Sequence, residues 1–203
     1  MAKRRGDNNS KLQIPDFIRP WNVECGMCNL EFSRILFPRQ RHTSIIHGIE
    51  VRGSVEFQRR TEEALTLLRP LDQFQIVGKN VAVIRQGRRS SMKAWAKKPT
   101  FIVGKPTWTH SALWYAGAIA HDAYHAKLYG DTRKRGSRKV PAAEAWTGVE
   151  AEIKCLVFQR HVLSKLNAGE AMLNYVDRCA EKPRYQGRNR GWGSWLDYLK
   201  RRW

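Results

Sequence analysis

The chain has 203 residues, one domain's worth by length, which excludes a large multidomain machine. Hydrophobic residues at 42% and charged residues at 27% lie near globular averages, so a packed core is feasible and a low-complexity chain is excluded. Thirty-seven Lys and Arg against eighteen Asp and Glu leave a net charge of +19, an excess that attracts nucleic acid or acidic proteins where it does not simply serve solubility.

Residues 1–13 are polar and basic, and Pro15 and Pro20 interrupt the next stretch, so the first twenty or so residues read as an arm. Lys3, Arg4 and Arg5 are not followed by an apolar stretch, and no apolar run is long enough for a bilayer. Neither a Sec signal nor a membrane segment is expected, and the cytoplasm is the simplest location, with delivery elsewhere left open. Four cysteines are too sparse for a disulfide scaffold and agree with reducing surroundings.

Ile45 to Val51 reads as a strand, and Ser54 caps a helix over Val55 to Leu68 that Pro70 stops. Phe74–Val77 and Val81–Ile84 read as two short strands turning at Gly78-Lys79-Asn80. Arg85 to Lys98 is rich in Arg and Lys with few apolar anchors and reads as an exposed connection, after which Phe101-Ile102-Val103 restores a strand. Ser111 to Tyr129 is long, Ala-rich and nearly uncharged, a buried helix that Gly130 is placed to end. Asp131 to Lys139 is a basic loop. A second long helix runs from Ala142 or Val149 to Leu166, continues or restarts after Gly169 and ends before Pro183. The expected organisation is a basic arm with a CxxC segment over 1–44, an α+β domain over 45–182, and a basic Trp-rich tail over 183–203.

His121 and His125 stand four apart on the buried helix, so both rings project from one face and can reach one ion. Asp122 follows the first histidine, where a general base is needed beside a metal-held water. By chance such a pair with an adjacent acid arises about 0.015 times in a chain of this composition, which favours a site over two unrelated core histidines.

This His-Asp-Ala-Tyr-His run resembles the His-Glu-x-x-His helix of zincin-type zinc metallopeptidases, with Asp122 in place of the glutamate. In the gluzincin branch a later helix supplies a third ligand, and Gly148-Val149-Glu150-Ala151-Glu152-Ile153-Lys154-Cys155 is similar to that branch's Glu-Ala-Asp-x-x-Ala pattern. The resemblance covers about residues 45–166, with a specific first motif and a looser second one. It implies a small α+β, zincin-like domain, its mixed sheet packed on an active-site helix and a ligand-bearing helix. It further implies one Zn2+ held by His121, His125 and Glu150, with Asp122 as catalytic base and a protein or peptide as substrate. Glu150 matches the ligand, Glu152 the second carboxylate, and Cys155 the small residue that lets the helices approach. Glu144 and Glu152 compete with Glu150, and a two-residue step turns a helix by about 200°, so Glu150 and Glu152 cannot both face the metal undistorted. Aspartate is one methylene short of the family's glutamate and must draw closer or act through a second water. Tyr129, His161 and Tyr175 are candidate oxyanion stabilisers by residue type, and Phe101-Ile102-Val103 is the expected edge strand beside the active helix.

A different class of function rests on Cys25, Cys28, His42 and His47, whose spacing fits a Cys2His2 zinc site. On that reading the protein is a basic nucleic-acid binder with a structural zinc and a non-catalytic zincin-like core. Pro38 interrupts the segment where a recognition helix belongs, and buried thiols or a redox pair are the other readings of Cys25 and Cys28. Trp192, Trp195 and Trp203 among the tail arginines either dock the tail on the domain or stack on bases.

Overall fold

The computed structural model describes residues 42–133 and 141–181; the arm, Cys25, Cys28 and the C-terminal tail lie outside them. Here β1 (His42–Ile46) turns directly back into β2 (Ile49–Gly53), with Ile46 opposite Ile49. The single strand expected over Ile45 to Val51 is therefore broken, and β1 starts ahead of the boundary expected at 45. Both turn residues, His47 and Gly48, take positive φ, 48° and 84°, as a tight two-residue hairpin requires.

Next to β2 lies β3 (Val83–Gly87) in parallel, so the chain must cross over, and α1 (Val55–Leu68) and α2 (Phe74–Asn80) do so. Ser54 Oγ accepts from the Phe57 amide at the start of α1, as expected from its position. The hairpin expected from Phe74 to Ile84 is overturned. A hairpin would make antiparallel neighbours, whereas Phe74 to Asn80 coil with Val77 buried, and the Asn80 side-chain amide donates to the Ile76 carbonyl. Gly78-Lys79-Asn80 is the last helical turn.

Beyond β3, β5 (Thr100–Gly104) is parallel and β4 (Ser91–Lys93) antiparallel, giving a five-stranded mixed sheet in the order β1-β2-β3-β5-β4. Two expectations change. The stretch from Arg85 to Lys98 contains the end of β3 and all of β4, because Met92 and Ala94 turn inward while Ser91 and Lys93 stay exposed. Phe101-Ile102-Val103 is paired on both sides and is not an edge; the edges are β1 and β4, of which β4 packs against the helix that carries His121 and His125.

A short α3 (Lys105–Trp108) leads to α4 (Ala112–Thr132), capped by Ser111 Oγ on the Trp114 amide. It runs through Gly130, since the Lys127–Asp131 ion pair and the Thr132 hydroxyl on the Leu128 carbonyl support one more turn. Then come α5 (Glu144–Thr147), α6 (Val149–Lys165) and α7 (Glu170–Glu181). Among the described residues no helix is long and apolar enough to cross a membrane.

One core lies between the sheet (Val51, Ile84, Phe101, Val103) and the helices, with Phe57, Leu65, Tyr115 and Ile119 fully buried. A second joins the start of α4 to α6 and α7 through Trp114, Leu163, Met172 and Val176. Where α4 meets α6, Gly117 has no side chain and Leu163 fills the space: a Cβ there would fall 2.9 Å from Leu163 Cδ2. Antiparallel apposition continues through stacked Tyr124 and Phe158, 4.8 Å apart, to the level of His125. Because Leu163 is fully buried and cannot swing into solvent, Gly117→Val is expected to cost about 1–3 kcal/mol in urea unfolding.

Candidate metal centre

Helix α4 is apolar almost all round, so a polar side chain on its inner face must find partners inside the protein. His125 and His121 do so one turn apart, with Nε2 atoms 3.1 Å from each other. From α6, Glu152 places one carboxylate oxygen 3.1 Å from His125 Nε2 and the other 3.2 Å from His121 Nε2. All three side chains are largely or wholly buried.

The donor chemistry fixes what the cluster can hold. His125 Nδ1 lies 2.7 Å from the Trp146 carbonyl, which only accepts, so the δ nitrogen carries hydrogen and a neutral ring leaves a bare lone pair at Nε2. That lone pair, a second imidazole and a carboxylate meet at one place. They repel unless a positive charge lies among them, either a proton or a metal ion. Zinc bonds of 2.0–2.1 Å at tetrahedral angles put ligand atoms roughly 3.4 Å apart, close to the spacings found. The His-His-Glu group could therefore hold a metal ion, and the Trp146 carbonyl is the kind of outer partner that orients a ligating imidazole. His121 Nδ1, by contrast, is buried with no hydrogen-bond partner among the described residues.

The electrostatics say the same of the metal-free chain. Burial opposes charge on His125, yet the Cys155 sulfur, the Glu152 carboxylate and Asp122 push its pKa up to about 11. Burial likewise acts to raise Glu152, and the two imidazoles outweigh it, holding the carboxylate at about 2. Asp122 is raised by burial, against the pull of His121 and His125. It makes no side-chain hydrogen bond to a described residue.

Of the expected ligands, His121 and His125 come together and Glu150 does not. Glu150 is exposed in the first turn of α6, and Glu152, on the buried stripe with Ala151, Cys155 and Leu156, stands in its place. Cys155 is fully buried between the helices, as its small size led us to expect. Tyr129 is buried one turn beyond His125, its ring edge-on to Trp146. His161 bonds Gln73 and Tyr175 packs on Trp114, so neither reaches the cluster: nine residues of helix, roughly 13 Å, separate His161 from Glu152. His42 and His47 bracket β1, roughly 15 Å apart at the rise of a strand, too far to share an ion, and His47 Nε2 lies instead 3.3 Å from Thr66 Oγ1. Trp146 escaped sequence reasoning because a backbone carbonyl leaves no residue signature.

No family model, curated protein or solved structure matches this chain.

The shifts set a pH window for the metal-free protein. Glu152, held at about 2 against 4.5, contributes stability above pH 4.5 that is lost as pH falls through about 2. His125, held at about 11 against 6.5, contributes stability below pH 6.5 that is lost as pH rises through about 11. Urea midpoints are therefore expected to peak between about pH 4.5 and 6.5, and Glu152→Gln is expected to flatten that profile where Glu150→Gln does not.

Proposed function

We propose that the chain is a zinc-dependent metallopeptidase of zincin-like architecture that hydrolyses peptide bonds. The observation that carries this reading is the convergence of His121, His125 and Glu152 on one point, with Asp122 next to the first histidine. Two imidazoles and one carboxylate are the ligand types of catalytic zinc sites, which keep a position open for water. The mixed sheet lends support, since its antiparallel edge strand β4 packs against the helix bearing both histidines.

His121 and His125 would bind the ion through Nε2 and Glu152 through its carboxylate, with the Trp146 carbonyl fixing the His125 ring. A zinc ion held there acidifies water and polarises a carbonyl. Asp122 would accept the water's proton on a carboxylate oxygen as the water oxygen bonds to the carbonyl carbon, and would deliver it to the amide nitrogen as the C–N bond breaks, releasing an acid and an amine. A desolvated aspartate with a raised pKa is a stronger proton acceptor than an exposed one. Its short side chain limits reach, and a misplacement of about 1 Å costs on the order of 100-fold in rate.

Protein purified without an affinity tag is expected to carry about one zinc per chain by metal analysis, and His121→Ala with His125→Ala to lose it. Unchanged zinc content in that variant would end the reading. Asp122→Asn is expected to keep the metal and lower peptide hydrolysis by about 100-fold or more, while Asp122→Glu preserves or raises the rate. An Asp122→Asn protein as active as the parent removes Asp122 from the mechanism.

A further inference from the structure

Between Asp72 and Asp122 the chain contains no acidic residue, yet it carries Arg85, Arg88, Arg89, Lys93, Lys97 and Lys98. Four of them, Arg88, Arg89, Lys93 and Lys97, lie around one feature, the strand β4. β4 pairs only with β5, so its other edge offers backbone N–H and C=O groups to no described strand. Arg88 and Arg89 precede it, Lys93 ends it and Lys97 follows, all four exposed and without an ion pair to a described residue. Lys98 is different, being engaged by Glu50 at 3.0 Å.

The arginines are not on a loose loop. Ser90 Oγ accepts from the Gly104 amide at 3.0 Å and lies 2.9 Å from Thr107 Oγ1, tying the loop to the end of β5. Gly104 permits the approach, since a Cβ there would fall 3.1 Å from the Arg89 Cα. At the other end of β4, Trp95 is 53% exposed, and its ring meets the Trp146 ring at 5.6 Å. Trp146 also supplies the carbonyl that holds His125. Trp95 thus joins one end of β4 to the residue whose carbonyl orients His125.

We infer that the substrate drawn along β4 is an extended acidic peptide segment, added as a strand, with Arg88, Arg89, Lys93 and Lys97 facing its carboxylates and Trp95 its apolar side chains. This deepens the peptidase reading and rests on it for the word substrate. A free strand edge gives main-chain hydrogen bonds to a peptide, and flanking cations select its charge. Nucleic acid would use the cations but not the strand edge, and Trp95, the one exposed tryptophan among the described residues, is braced edge-on and offers no series of stacking faces beside β4.

The test is fluorescence anisotropy with the full chain, zinc-loaded and metal-free, using a labelled peptide of alternating glutamates and its glutamine counterpart. The glutamate peptide is expected to bind at least about tenfold more tightly, with affinity falling as salt rises. Arg88→Glu with Arg89→Glu, and Lys93→Glu with Lys97→Glu, are each expected to abolish the preference and to gain affinity for a lysine counterpart. The milder Lys93→Gln with Lys97→Gln, which leaves the fold unstressed, is expected to reduce it. Equal binding of the glutamate and glutamine peptides overturns the inference. So does a glutamate preference that survives all three variants, or displacement of the peptide by single-stranded DNA at lower concentration than unlabelled peptide. Because binding is read without turnover, a charge preference in a chain that takes up no zinc and cleaves no peptide when zinc is supplied supports the acidic ligand while refuting the peptidase.

Discussion

Everything at the centre of this protein depends on a conflict that burial creates. Two imidazole nitrogens and a carboxylate are held within about hydrogen-bond distance of each other in an apolar interior, with one ring already committed to a carbonyl. Electron-rich atoms so arranged repel, and burial leaves little solvent to screen them. A cation resolves the conflict. In the metal-free chain that cation is a proton, which is why His125 and Glu152 depart from their ordinary titration ranges in opposite directions. Packing thus sets the three donors at spacings that a shared cation satisfies.

Packing is able to impose this because the two helices cannot move apart cheaply. Leu163 occupies the notch at Gly117, Tyr124 stacks on Phe158, and Cys155 is small enough to lie beneath His125. Arg160 Nε on α6 donates to both carboxylate oxygens of Asp177 on α7, and the second core clamps α6 from its far side. On the other flank Phe101 and Val103 of the sheet share one buried core with Tyr115 and Ile119 of α4. A change in any of these contacts alters the spacing of the donor atoms before it alters the donors themselves.

The histidine pair was legible because helical periodicity needs only local information, and the limits of α1 could be read from Ser54 and Pro70 for the same reason. In the sequence Glu152 is only a competitor of Glu150, although burial offers a cue that the ligand motif does not. Ala151, Cys155, Leu156, Val162 and Leu163 form an apolar stripe in the sequence, and Glu152 falls on it while Glu150 does not. The family's ligand pattern points to Glu150 against that physical cue. The failures at Phe74 to Ile84 and at Phe101 to Val103 have another origin. Whether a short β-branched run pairs, and with which neighbours, depends on strands far away in the chain. The parallel pairing of β2 with β3 is what demands a helical crossover there. His47 and Gly48 formed a readable turn signal only in retrospect, since histidine is an uncommon first residue of such a hairpin.

Charge is distributed to the same end. The excess of +19 is not spread evenly, for the acid-free stretch from Gln73 to His121 lays cations along the sheet edge and then ends at Asp122. A pocket that needs a positive charge is therefore set beside a surface that offers one. Were the surface lysines and arginines able to reach inside, they would neutralise Glu152 and remove its demand for an ion. Burial prevents this: side chains ending in solvent are screened over about 10 Å, whereas the donors within α4 and α6 interact at low dielectric. A buried cluster able to hold a cation and an exposed edge rich in cations can then coexist, because one belongs to the interior and the other to the rim.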